Sequence, residues 1–108
     1  MTGLTHLYLM AIQLTALSSE IGNLTGLAGL NLLGNQLTAL PSEIGNLTDL
    51  TDVLLNSNRL TGIPVTLCKL IELQTLNLSD NLLTVIPLCM AELIDPWLVN
   101  LSGNPLRG

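Results

Sequence analysis

Leucine recurs along this chain as a fixed comb. Between Ile21 and Leu40 leucines stand at 24, 27, 30, 32, 33, 37 and 40, and a step of 23 residues reproduces all of these positions but 33 as apolar columns along the chain. Leu4, Leu27, Leu50 and Leu73 form one column, and Leu7, Leu30, Val53, Leu76 and Val99 a second. Leu9, Leu32, Leu55, Leu78 and Leu101 form a third, and Leu14, Leu37, Leu60, Leu83 and Leu106 a fourth. No insertion or deletion breaks the register. A constant period of this size predicts a solenoid, whose units bury their apolar faces only by stacking on one another. The alternation around Leu30 and Leu32 predicts a short strand with both leucines turned inward. Stacked units then place such strands in parallel, about 4.8 Å apart, so five of them make a face about 20 Å across.

The polar positions are periodic too. Asn35, Asn58, Asn81 and Asn104 follow the strands at the point where the backbone must bend inward. Amide groups buried there need partners, and an asparagine side chain both donates and accepts, which predicts an asparagine ladder between turns. Ile12 takes that position in the first copy and cannot contribute. Thr15, Thr38, Thr61 and Thr84 form a further column, where a hydroxyl can bond turn backbone and the β-branch suits extended chain. Pro41, Pro64 and Pro87 restrict the chain as it enters the other side of the unit. Segments there, such as SEIGNL and AELI, are too short for full helices and predict single turns or irregular structure. Ile21, Ile44, Leu67 and Met90 are expected to face the core from that side.

The pattern LxxLxLxxNxL, present as LAGLNLLGNQL, LTDVLLNSNRL and LQTLNLSDNLL, resembles the leucine-rich repeat family, and the resemblance covers nearly the whole chain. The 23-residue length with LTALP and LTVIP is similar to the typical intracellular class of such repeats. IGNLT and LTGIP are similar to plant extracellular repeats, although LTGIP is one residue shorter than their LxGxIP. The resemblance implies a horseshoe with short parallel strands on the concave face, turns or irregular segments on the convex side, and binding mostly on the strands. Residues 1–108 are expected to form one domain of about four and a half repeats. Met1 stands in the column of Leu24, Leu47, Leu70 and Leu93. The expectation is therefore a piece of a longer array without dedicated caps, whose open ends could associate with each other.

Composition narrows the partners. A net charge of −5 and a pI near 4.3 argue against nucleic acid and anionic membrane. The three basic residues, Arg59, Lys69 and Arg107, do not cluster. The apolar residues are spread at repeat spacing and broken by prolines, so nothing reads as a membrane span. MTGLTHLYLM has neither a basic start nor a small-residue cleavage site, so no secretory signal is expected. A cytoplasmic location is the expectation, with an extracellular one as the alternative. Cys68 and Cys89 lie on neighbouring repeats two phases apart. A bridge between them is possible, and two reduced, buried thiols are the expected state. Four Asn-x-Ser/Thr triplets, at Asn23, Asn46, Asn77 and Asn100, arise from the repeat itself and are read as its by-products.

The outward strand positions carry the candidate chemistry. One row is His6, Gly29, Asp52, Thr75 and Leu98; the next is Tyr8, Asn31, Leu54, Asn77 and Asn100; the third is Met10, Leu33, Asn56, Ser79 and Ser102. Tyr8, Met10, Leu33 and Leu54 are apolar residues that the solenoid would expose, rimmed by Asn31, Asp52, Asn56, Thr75 and Asn77. Such a cluster reads either as a docking patch for a protein or as ordinary surface. His6 is the only histidine and lies two strands from Asp52, too far for a direct pair, so no catalytic relay is expected. No carboxylate pair, metal-ligand spacing or phosphate loop is present, and neither enzyme activity nor a cofactor is expected. The reading is a protein-interaction module, with a recognition arm of a larger receptor, kinase or ligase, or a self-associating array, as alternatives.

Overall fold

The computed structural model describes residues 3–93 and 99–106. Five short strands, β1 (His6–Tyr8), β2 (Gly29–Asn31), β3 (Asp52–Leu54), β4 (Thr75–Asn77) and β5 (Val99–Asn100), form one parallel sheet in chain order. Their register is the 23-residue comb itself: Leu7 pairs with Leu30, Leu30 with Val53, Val53 with Leu76 and Leu76 with Val99. The ladder runs one residue past each strand, through Leu9 N–H to Asn31 O and Leu32 N–H to Leu54 O. The chain is thus a solenoid of 23-residue units with the strands on one side and short turns on the other.

The opposite side is built from 3-10 turns at Ser19–Asn23, Ser42–Asn46 and Val65–Lys69. Each is entered through an extended residue near φ −66°, which is Ser18, Pro41 or Pro64. Proline holds that angle covalently. Ser18 reaches the same conformation and adds a hydroxyl that accepts from Glu20 N–H, so serine does the same work by capping. Each turn closes when the N–H of the next leucine, Leu24, Leu47 or Leu70, donates to the carbonyl three residues back. The last unit differs from the expected single turn, because Leu88–Leu93 is a six-residue α-helix, α1.

Between the two sides lies the core. Leu27, Leu30, Leu32, Leu37, Leu50, Leu55, Leu60, Leu76, Leu78 and Leu83 are buried, closed from the turn side by Ile21, Ile44, Leu67 and Met90. In the first unit Leu4, Leu7, Leu9 and Leu14 are only partly buried, since each has a neighbour on one side alone.

Close stacking of the turns requires glycine. A Cβ at Gly45 would lie 2.6 Å from the Thr66 carbonyl oxygen and 2.7 Å from Thr66 Cβ. At Gly22 it would lie 2.9 Å from Glu43 Cβ. Gly45→Ala is expected to cost about 1–3 kcal/mol through the forced shift of the next turn, measured by urea unfolding with the m-value held as a check. An unchanged midpoint would mean that the turns separate freely.

The two cysteines correct the sequence-based expectation. Cys68 and Cys89 are joined in a disulfide with Cα atoms 6.2 Å apart, rather than standing as two reduced buried thiols. The cause is geometric. Gly22 faces Glu43 and Gly45 faces Thr66 across adjacent turns, both at a separation of 21 residues. Cys68 follows these glycines in the repeat, and Cys89 follows Glu43 and Thr66. The offset of two phases is therefore the phase of direct contact, and the bond occupies the spot that glycine leaves open elsewhere.

Candidate functional site

The site begins with the residues that end the strands. Asn58 Oδ1 accepts from Leu37 N–H at 3.0 Å, and its Nδ2 donates to Leu32 O at 2.9 Å and Leu55 O at 3.0 Å. Asn81 repeats this one turn on, with Leu60 N–H, Leu55 O and Leu78 O, and Asn104 repeats it with Leu83 N–H, Leu78 O and Leu101 O. Asn35 accepts from both Ile12 N–H and Leu14 N–H. Leu32 O, Leu55 O and Leu78 O each accept from two asparagines, one of the same turn and one of the next. Both carbonyl lone pairs are used. Among the described residues no buried side-chain nitrogen or oxygen lacks a partner. This ladder holds the strands in register and so fixes the face they present.

A second asparagine column braces the same bend. Asn31, Asn77 and Asn100 each accept, through Oδ1, the N–H two residues on: Leu33 N–H at 3.1 Å, Ser79 N–H at 3.0 Å and Ser102 N–H at 3.0 Å. The hydroxyls of Ser79 and Ser102 donate to the same oxygens at 2.7 Å. Three outward asparagines thus spend one side-chain oxygen each on the scaffold, and their Nδ2 groups have no hydrogen-bond partner among the described residues. Ser79, expected on the open face, is buried. The threonine hydroxyls at 15, 38, 61 and 84 show no hydrogen bond to a described residue, although Thr61 N–H donates to Thr38 O at 3.3 Å.

On this frame the open face forms a shallow depression of about 330 Å³ over the first three strands. It gathers Tyr8, Met10, Asn31, Asp52 and Leu54 from the expected set, together with His6, Gly29 and Leu30. Leu33, Asn56, Thr75 and Asn77 belong to the same sheet face but stand outside the depression, and Leu98 lies outside the described residues, as do Met1, Asp95, Pro96 and Arg107. Tyr8 is 62% exposed and Met10 44%, while Leu54 is half-buried rather than open. The depression exists because Gly29 has no side chain. His6 and Asp52 are its register neighbours on either side. The imidazole of His6 lies over Gly29, where a Cβ would come 2.5 Å from Cδ2. Thr5 Oγ1 lies 3.0 Å from His6 Nδ1, and Thr51 Oγ1 lies 3.2 Å from both Asp52 Oδ2 and Ala28 O, sharing its one proton between them. His6 and Asp52 form no ion pair within the described residues. The role of Gly29 was not evident from the comb, because only the neighbouring side chains show that the His6 ring lies over it.

Among the described residues no group of three metal-ligating side chains comes together, and no helix is long and apolar enough to cross a membrane. A family model described as Leucine Rich Repeat matches residues 72–93. A search of curated protein sequences found no match. Among solved structures, a leucine-rich repeat protein of Leptospira interrogans is 38% identical with a TM-score of 0.76 over 88% of this chain and 24% of its own. The BIR2 ectodomain from Arabidopsis thaliana is 29% identical with a TM-score of 0.83 over 99% of this chain and 58% of its own. The ectodomain of the receptor kinase SOBIR1, also from Arabidopsis thaliana, is 26% identical with a TM-score of 0.64 over 96% of this chain and 73% of its own. The chain therefore spans 24% of the first of these proteins and 58% of the second.

Proposed function

Because this chain belongs to the leucine-rich repeat family, we propose that it is a protein-interaction module that binds its partner through the concave strand face and carries out no catalysis. The observation that carries this reading is the depression over β1, β2 and β3, where exposed Tyr8 and Met10 stand beside Leu54, Asn31 and Asp52 on a sheet fixed by the ladder. An apolar patch with a polar rim on a rigid support is the usual anatomy of a protein-binding surface. Leu33, 36% exposed, extends the patch beside Met10.

The test is a pair of surface replacements. Leu33→Glu with Leu54→Glu is expected to weaken partner capture by about 30-fold or more, as loss of an interface anchor does, with the circular dichroism spectrum unchanged. Val65→Glu with Leu88→Glu, on the opposite side, is expected to leave capture as it was. Capture that survives the first pair, or disappears with the second alone, assigns binding to another surface.

A second reading is a recognition arm within a larger receptor. It is supported by the likeness to two ectodomains, one of them from a receptor kinase, over 99% and 96% of this chain. The coding sequence on either side decides it. We propose an oxidising compartment, and the cysteine pair supports that reading. Disulfides persist where the environment is oxidising, so the Cys68–Cys89 bond favours an extracellular or otherwise oxidising location over the cytoplasmic expectation.

A further inference from the structure

We propose that the depression over Gly29 seats one arginine side chain of the protein partner, with its guanidinium against Asp52 and its stem along Tyr8 and Leu54. This rests on the concave-face reading above and names the chemistry that the face selects.

The first argument is electrostatic. The chain carries a net charge of −5, with eight acidic residues against three basic ones. Asp52 is the one carboxylate lining the depression, and neither Arg59 nor Lys69 lines it. Thr51 occupies only Oδ2 of Asp52, so Oδ1 is left without a hydrogen-bond partner among the described residues. An apolar partner laid over this spot would strip water from a lone carboxylate, and an anionic one would add repulsion. A cation removes both penalties.

The second argument is shape. The depression is a shallow recess: Gly29 has no side chain, the His6 ring lies over it as part of the floor, and Asp52 flanks it on the other side. At about 330 Å³ it is at the small end of ligand sites. Its apolar wall, Tyr8 and Leu54, shares the next row with Asn31. A long methylene stem packs on such a wall while its charged head reaches the acid. Arginine suits this better than lysine, since its planar head forms two parallel bonds to a carboxylate and stacks on an aromatic ring.

The experiment uses the whole chain, labelled with 15N, and four blocked peptides, Ac-Ala-Ala-Xaa-Ala-Ala-NH2, with arginine, lysine, glutamate or leucine at Xaa. The arginine peptide is expected to shift the amides of residues 29–31 and 52–54 saturably, the lysine peptide more weakly, and the glutamate peptide not at all. Asp52→Asn, a change at an exposed side chain, is expected to weaken the arginine peptide about fivefold or more and to leave the leucine peptide unaffected. Tyr8→Ala provides a second variant with a loss in the same direction. No saturable shift with arginine, equal shifts with glutamate, or an arginine affinity indifferent to Asp52→Asn would each overturn the proposal. The two readings fail separately. If the arginine peptide fails while Leu33→Glu with Leu54→Glu still abolishes partner capture, the seat is wrong and the concave face stands. If capture survives that pair, the concave face itself is wrong.

Discussion

Asn58→Ala is expected to remove about 3–5 kcal/mol of stability, a large share of the roughly 5–15 kcal/mol that holds a domain folded. The estimate follows from what each lost bond leaves behind. Leu37 N–H has Asn58 Oδ1 as its partner, and both lie in the buried interior. Its orphaning costs about 1–3 kcal/mol. Leu32 O and Leu55 O keep Asn35 and Asn81 as donors, so each loses one bond of two, about 1 kcal/mol apiece. Asn58→Asp tests the same point from the other side. It preserves shape but replaces the NH2 group and its two donors by an oxygen facing carbonyl oxygens, and it is expected to be no better tolerated than alanine. Chemical denaturation of both variants against the parent gives the answer. A loss under about 1 kcal/mol in either would show that water or backbone rearrangement replaces the ladder.

Opening the Cys68–Cys89 bond is the second large effect, expected to cost about 3 kcal/mol. The bond closes a loop of 21 residues of separation, and the chain-entropy estimate for such a loop is about 3 kcal/mol at room temperature. Cys68→Ala with Cys89→Ala, or the parent in excess dithiothreitol, should unfold at a lower midpoint by the same amount. The two routes should agree, because both release the unfolded chain from one constraint. The loss should also concentrate where the bond lies. Amides of Val65–Lys69 and Leu88–Leu93 are expected to lose hydrogen-exchange protection first, while those of Gly29–Asn31 should change least. Uniform loss along the chain would mean that the turns unfold as a single unit.

The parts of the fold visible in the amino-acid order are those where every copy must solve one problem with one chemistry. Leu30, Leu32 and Leu37 have equivalents in each unit because only a branched apolar side chain fills those core positions. Other positions are shaped by the neighbouring turn, and their residues vary. Ala11, Gly34, Ser57, Asp80 and Gly103 share one repeat position, and all five have left-handed backbone, with φ between 52° and 74°. Only two of them are glycine, so residue preference alone does not reveal the bend. The cysteine contact was hidden for a related reason. Columns at a spacing of 23 show what lies side by side in the sheet, whereas the turns meet at a separation of 21. The open face was legible as a set of outward positions. Its relief was not, since Ser79 turns inward to Asn77 and the His6 ring folds across Gly29.

The sharing of Leu32 O, Leu55 O and Leu78 O between asparagines of adjacent turns also governs how such a chain can change length. Each shared carbonyl needs one donor 3 residues on and another 26 residues on. Gaining or losing residues between a strand and its asparagine would move the donor out of reach, whereas residues added on the turn side can loop out. Gaining a whole unit restores both distances at once. Growth by whole 23-residue blocks therefore keeps every shared carbonyl paired.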